Sequence, residues 1–438
     1  AKAGLKGFEY QSGKSGVIFS TSDQDIVINA YQPKSVLTQV LFEPNPTLND
    51  SITYDITSWA MPYAYGLKAY AMETRLDASG AYEKPAFSSN SISSTPVAYL
   101  ATWQGTRDAA FLAALLNQKI RVRYAEYPFV VEGKSYPAGT LMITKGGNEY
   151  VADFDKKVTE TANRFGVTLA TTQTGYVDKG KDFGSPNIRV IKAPKVALVG
   201  GNGTSSLNYG EVWHFFEKDL DYPLSNLDAS AMGSYDLSKY DVIILPSVFG
   251  AALNAGAQTK LTDWVKAGGK LIAIDASVNL FANKEGFKLK TFDTDEEKKA
   301  ADKVAQELAK VERLEPYTEG ERLDISSGTA GAIYEIKMDE THPLGYGTGG
   351  KFYTLKNNSN RFAYLTGGVN AGIIAGNDSY RTGYIGYKIK SHMGNSMVIG
   401  AENQGRGQIV YFVDNPIFRG FWESGKLVLS NAIFMMGQ

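Results

Sequence analysis

The stretch from Pro194 to Phe281 constrains this chain more than any other. It opens with KVALVGGNG (Lys195–Gly203), an apolar run ending in a glycine turn, and continues into the helical pattern GEVWHFFEKDLD (Gly210–Asp221). A second apolar run, YDVIILPS (Tyr240–Ser247), leads to another helical pattern over Thr259–Ala267. Gly268 and Gly269 stop that helix before KLIAIDAS (Lys270–Ser277). Short continuous apolar runs alternating with segments of helical period predict parallel strands joined by crossover helices. Ligands in such sheets sit at the carboxyl ends of the strands. The expected pocket therefore lies at three turns, with Gly201, Asn202, Ser247, Asp275 and Ser277 as its candidate residues.

This core resembles the class I glutamine amidotransferase-like fold, a flavodoxin-like, doubly wound α/β sheet. In that superfamily the strand equivalent to KLIAID leads into a tight turn, patterned G-x-C-x-G, that carries a cysteine nucleophile. Here the turn reads Ala273-Ile274-Asp275-Ala276-Ser277, so Asp275 stands where the cysteine is expected and both glycines are absent. The chain contains no cysteine at all. Because the reacting group of that chemistry is a thiolate, the glutaminase reaction implied by the resemblance is excluded.

At 438 residues the chain exceeds what one core organises, which sets a prior of about two or three domains. Residues 1–180 read as an N-terminal α/β part and 181–438 as the amidotransferase-like domain. Within 1–180, Asp25–Pro44 reads as a strand, a turn at Gln32-Pro33 and a short helix. Between Pro96 and Gly175 lies a smaller α/β unit, with strands at Val97–Trp103 and Ile120–Tyr124 and a hairpin from Phe129 to Thr144. Its helices are Arg107–Asn117 and Lys156–Phe165. Gly175–Pro186, rich in glycine and charge, reads as a linker. Beyond the core, residues 293–316 pattern as a charged amphipathic helix. A β-rich tail follows, with strands at Ala332–Met338, Arg361–Gly367, Gly383–Ile389 and Gln408–Asp414, and Leu427–Phe434 reads as a closing helix. Forty-five basic against 46 acidic residues leave no field to attract nucleic acid or an anionic membrane. No apolar run approaches the length of about 18 that spans a bilayer.

A second resemblance covers most of the chain. The segment LFEPNPTLNDSITYDITSWAMPYAYGL is similar to one in long, exported bacterial zinc carboxypeptidases of the carboxypeptidase A-like class, where it follows the peptidase domain. The likeness continues through Thr106–Ile143, Lys181–Gly201, Asp339–Gly347 and Gly405–Phe434. It implies an exported, periplasmic or cell-surface protein whose peptidase domain precedes Ala1. It also implies zinc in that domain and no cofactor in this chain. The partners it implies are the chain's own peptidase domain and a peptide substrate. The expected role is accessory and non-catalytic: supporting or gating the peptidase domain, or binding its substrate. A residual hydrolase or small-ligand site at Asp275 and Ser277 is the alternative.

Other constellations are thin. The histidines are His214, His342 and His392. His214-Phe215-Phe216-Glu217 fits the His-x-x-Glu half of a zinc site with His342 as a distant partner, but it falls inside a helical pattern, where an i, i+3 pair is a surface contact. Ser277 with His342 as base would make a serine hydrolase. Ala276-Ser277-Val278 lacks the glycines of a sharp nucleophile turn, and Ser277 reads instead as a cap for Val278–Ala282. The loop Gly200–Gly210 lacks both the P-loop ending and the dinucleotide spacing. In DNPIFRGFWESG (Asp414–Gly425) the aromatics and Arg419 read as the filling of a strand-to-helix junction.

Overall fold

The structure, a computed structural model, describes residues 2–46, 58–78, 80–87, 89–91, 95–249, 252–292, 325–326 and 328–437. The segment read as a charged helix, 293–316, lies outside the described residues. The chain is a mixed α/β protein with several multi-stranded sheets.

The largest sheet has ten strands among the described residues. In chain order these are β1 (Val196–Gly200), β2 (Leu224–Asp228), β3 (Val242–Leu245), β4 (Lys270–Ile274), β5 (Thr329–Met338), β6 (Lys351–Lys356), β7 (Val369–Ile374), β8 (Tyr380–Ile385), β9 (Ser396–Gln404) and β10 (Gly407–Phe412). The spatial order is β2-β1-β3-β4-β10-β9-β7-β5-β6, with β8 also paired to β5. The first five of these positions are parallel, and every pairing beyond β10 is antiparallel. A parallel run with a 2-1-3-4 start is consistent with a flavodoxin-like layout.

The apolar runs form strands because both faces of the sheet are covered. On one face Val196, Leu198, Val242, Ile244, Ile272, Ile274, Val410 and Phe412 pack against α1 (Ser206–His214) and the closing helix α3 (Glu423–Ser430). On the other, Ala197, Val199, Ile243, Leu245, Leu271, Ala273, Ile409 and Tyr411 meet α2 (Ala255–Lys266) through Leu261, Trp264 and Val265. Ser205 caps α1 by accepting from Asn208 N, and Asn254 caps α2 by accepting from Ala257 N. Helix α2 stops where Gly268 takes φ 125°.

The edge strand β2 escapes the sequence reading because LSNLD is short, polar and largely exposed. In the tail, Ala332–Met338 and Gln408–Asp414 coincide with β5 and β10 to within a few residues, whereas Gly383–Ile389 shares only its first three residues with β8 and turns helical from Tyr387. Arg361–Gly367 makes only isolated bridges at Phe362, while β6, β7 and β9 were not anticipated. The tail completes the large sheet.

The N-terminal α/β unit is a five-stranded antiparallel sheet with helices Thr106–Asn117 and Phe154–Phe165, the latter closed by Gly166 at φ 65°. Its fifth strand, Ile188–Val190, lies beyond the segment read as a linker. That segment is itself packed: Phe183 is buried and Lys179 bridges to Val130. Asp25–Ala30 forms no strand, and only Ser35–Phe42 of that pattern is regular. One continuous apolar core joins this unit to the large sheet, with α3 between them. Trp103 Nε1 donates to Asn431 Oδ1 at 2.6 Å and Tyr124 Oη to the Met435 carbonyl at 3.0 Å.

Lys270 fastens the chain's last helical turn to the sheet. Its buried Nζ donates to the carbonyls of Ile433 (2.8 Å) and Met436 (2.7 Å). Burial pushes the ammonium down to about 7, against the opposing pull of Asp241. The unfolded chain therefore holds a proton that the folded chain gives up, and stability rises with pH across that window. The urea midpoint is expected to rise between about pH 7 and 9, by at most about 1.4 kcal/mol per pH unit. Lys270→Met should flatten the slope and cost about 1–3 kcal/mol at neutral pH by leaving two carbonyls unpaired. A slope unchanged by the substitution would show that Lys270 stays charged.

Candidate functional site at the strand ends

The carboxyl ends of β1, β3, β4 and β10 emerge on one rim, where two arrangements lie side by side. The first is a buried polar seam. Asp275 follows β4 directly and takes φ 53°, a left-handed conformation that costs an L-residue about 1–2 kcal/mol. A left-handed residue thus ends this strand although the glycines of the superfamily's tight turn are absent. Asn358 Nδ2 donates to Asp275 Oδ1 at 2.9 Å, with Asp414 Oδ1 also near it at 3.4 Å. Asp414, two residues past β10, forms an ion pair with Lys356 at 2.8 Å, and both side chains are 1% exposed. Thr354 Oγ1 donates to the other Asp414 oxygen at 3.0 Å.

Burial pushes the Asp275 carboxyl above its ordinary range, and the Asp414 charge adds to the rise. The nearby Ser247 hydroxyl, the Ala276 N–H and Lys356 oppose it. That buried Ser247 hydroxyl closes no well-aligned hydrogen bond of its own. Ser247 N donates to Asn208 Oδ1 at 2.8 Å. Glu211, whose carboxyl burial also raises, accepts from Asn208 Nδ2 (3.2 Å), Asn415 Nδ2 (2.5 Å) and Arg419 N (2.6 Å). The polar groups of the rim are thus tied to one another from α1 to the loop after β10.

The second arrangement is an open cleft of about 420 Å³ between the loops after β1, β2 and β3, lined by Asn202, Gly203, Ser230, Phe249, Ala252 and Asn254. The candidate residues therefore divide. Ser247 and Asp275 meet in the seam, Asn202 lines the cleft, and Gly201 (φ 97°) shapes the loop between them. Ser277 is fully buried and its hydroxyl donates to the Pro246 carbonyl, stapling the end of β4 to that of β3. It is neither a presented nucleophile nor the helix cap expected from sequence.

His342 lies at the far end of the sheet. Three antiparallel pairings separate β5 from β10, so β5 ends, and His342 follows, at the rim opposite Asp275. There its Nδ1 accepts from Leu344 N at 3.3 Å, and burial holds its pKa down. His214 ends α1, and Glu217 pairs with Lys218. Among the described residues no group of three or more histidines or carboxylates gathers to hold a metal. Arg419 sits over the Trp59 ring and Trp59 stacks on Phe421, so Asp414–Gly425 does form an aromatic junction.

Sequence reasoning missed Asp414, Lys356 and Asn358. Asp414 had a signal, since YFVD repeats the pattern of IAID, an apolar run ending in aspartate. Lys356 and Asn358 had none, because β6, which ends at Lys356 just before Asn358, was itself unanticipated.

No protein-family model matches this sequence, and no curated protein matches it either. Among solved structures the chain is similar to proteins described as ThuA-like from Bacteroides uniformis ATCC 8492 and Parabacteroides merdae ATCC 43184. Their identities are 10% and 13% and their TM-scores 0.32 and 0.35, each covering 55% of this chain and 89% of the other. A protein assigned as a component of GMP synthase from Thermoplasma acidophilum aligns at 10% identity and TM-score 0.34, over 55% of this chain and 92% of that one. Likenesses this low carry no argument about this chain, whose layout rests on the strand order above.

Two outcomes test the seam. Lys356→Met strands the buried Asp414 charge and should cost about 3–5 kcal/mol in urea unfolding, most of it recovered by adding Asp414→Leu. Asp275 has a folded pKa above its unfolded one, so its contribution is fully present below the unfolded value and is lost as pH rises. Asp275→Asn should therefore raise the urea midpoint at neutral pH, with a gain that vanishes below about pH 4. A gain that persists at low pH would locate the effect in backbone preference.

Proposed function

We propose that this chain is a non-catalytic accessory region of an exported zinc carboxypeptidase-like protein, and that it seats the peptidase domain on its apolar N-terminal segment. The observation that carries the reading is the helix Ser35–Phe42, none of whose eight residues is buried. Val36, Leu37 and Val40 are 73%, 51% and 45% exposed, and Ile18, Ile26, Ile28 and Tyr31 are each more than half exposed. Large apolar side chains concentrated in one short segment mark a surface that another protein covers. The Tyr10 hydroxyl donates to the Phe42 carbonyl, which anchors the end of this helix to the buried core.

Two further points support the reading. The long segments resembling post-peptidase regions imply a peptidase domain ahead of Ala1, with the zinc and the peptide substrate belonging to it. The amidotransferase-like turn carries Asp275 in place of a thiol, and the hydroxyl of Ser277 is committed to Pro246, which leaves that turn neither a thiol nor an uncommitted Ser277 hydroxyl.

Mixing this chain with the separately produced upstream peptidase domain should give a complex by calorimetry, with zinc partitioning to the peptidase. Val36→Glu, Leu37→Glu and Val40→Glu together should weaken it by about 100-fold or more, roughly 2.7 kcal/mol. As exposed changes they should each leave the chain's own unfolding within about 0.5 kcal/mol. Equal binding by the triple variant, or a gene with no peptidase upstream, would overturn the proposal.

A further inference from the structure

We propose that the open cleft between the loops after β1, β2 and β3 binds a neutral, polyhydroxylated ligand, a sugar residue of a glycan, on the Phe249 ring. This does not rest on the accessory reading, since the cleft and the N-terminal helix are separate surfaces.

The cleft is held open by contacts between its own loops. Phe249 N donates to the Gly203 carbonyl (2.8 Å), and Ser205 N to the Ser247 carbonyl (2.8 Å). Gly203, at φ 81°, lets the two loops touch, because a Cβ there would fall 2.4 Å from Ala252 Cβ. The volume of about 420 Å³ is in the range of small-molecule sites.

The lining decides the ligand class. Phe249 is 55% exposed, an apolar plane at the edge of a polar cleft. Asn254 spends its Oδ1 on Ala257 N, which leaves both amide hydrogens of its Nδ2 for a ligand. The exposed Asn202 adds a donor and an acceptor. Ser230 donates to Asp228 Oδ1 at 2.5 Å, so its oxygen is left to accept. None of the six lining residues is charged. The neighbouring charge is the exposed Asp228 carboxylate, packed against Gly201. That carboxylate repels a phosphate or a peptide's terminal carboxylate, and the capping side chains of Ser205 and Asn254 already occupy part of the helix N-termini that would attract one. A lone carboxylate already bonded to Ser230 is also poorly equipped to hold a cation. A pyranose matches what remains, with a C–H face for the ring and hydroxyls that both donate and accept.

Saturation-transfer NMR and calorimetry on the intact chain, with maltose, cellobiose, lactose and N,N′-diacetylchitobiose as probes and inorganic phosphate as control, test this. At least one disaccharide should bind saturably in the millimolar range, and phosphate should neither bind nor compete. Phe249→Ala and Asn202→Ala should each weaken that binding by about tenfold. Asn254→Asp, which keeps an oxygen for the α2 cap and removes the donors, should do the same with an unchanged unfolding midpoint. Absence of saturation by all four sugars, sugar affinity unchanged by Phe249→Ala, or phosphate occupying the cleft would each overturn the proposal. No peptidase domain is present in these assays, so their outcome is independent of the docking experiment.

Discussion

The parallel pairing of β10 with β4 is the constraint on which the rest of the molecule depends. It joins residues 270–274 to residues 408–412 across a large stretch of intervening chain, and the side chains from Leu271 to Ile274 and from Ile409 to Phe412 are almost wholly buried. Strands covered on both faces have to be apolar throughout, and their polar groups are driven to the ends. The carboxylates Asp275 and Asp414 consequently emerge on the same rim. Two neighbouring carboxylates in a poorly solvated place need a counter-charge and hydrogen-bond donors, which Lys356, Thr354 and Asn358 supply from β6 and the loop after it. The antiparallel half of the sheet is thereby tied to the parallel half at its rim.

That tie separates two kinds of polar surface. In the seam, hydroxyls, amides and carboxylates largely satisfy one another, and the left-handed turn after β4 carries the Asp275 carboxyl where the amidotransferase-like pattern has a thiol. Around the cleft the lining amides retain unspent donors, because the loops after β1 and β3 bond chiefly through their backbones. A buried, mutually satisfied network rigidifies a fold, whereas exposed, unspent donors are what a ligand can use.

Much of the parallel half was legible from residue order. Continuous apolar runs such as VALVG, VIIL and KLIAI announce strands buried on both faces, and a glycine pair after a helical period announces the end of α2. The edge strand β2 was not legible, since an exposed edge needs no apolar run. Nor were β6, β7 and β9, whose patterns give no equally clear sign of where a strand begins or ends. The strand-end rule put all five candidate residues in one pocket, and the structure keeps Asp275 and Ser247 together but sets Asn202 in the neighbouring cleft. The rule could not say that Ser277 points inward, because a hydroxyl's direction depends on which carbonyl its neighbours bring within reach.

The residue order alone determined that no thiolate chemistry occurs here, that the centre is an α/β sheet with crossover helices, and which turns form its rim. These follow from composition and from local periodicity, which burial writes directly into the chain. Only the tertiary structure decided that Lys356 neutralises Asp414, that His342 sits at the opposite rim from Ser277, and that the helix Ser35–Phe42 leaves its apolar side chains uncovered. Such facts depend on strand order and direction between segments remote in sequence, and local periodicity carries no record of which remote segment a strand will choose as its neighbour.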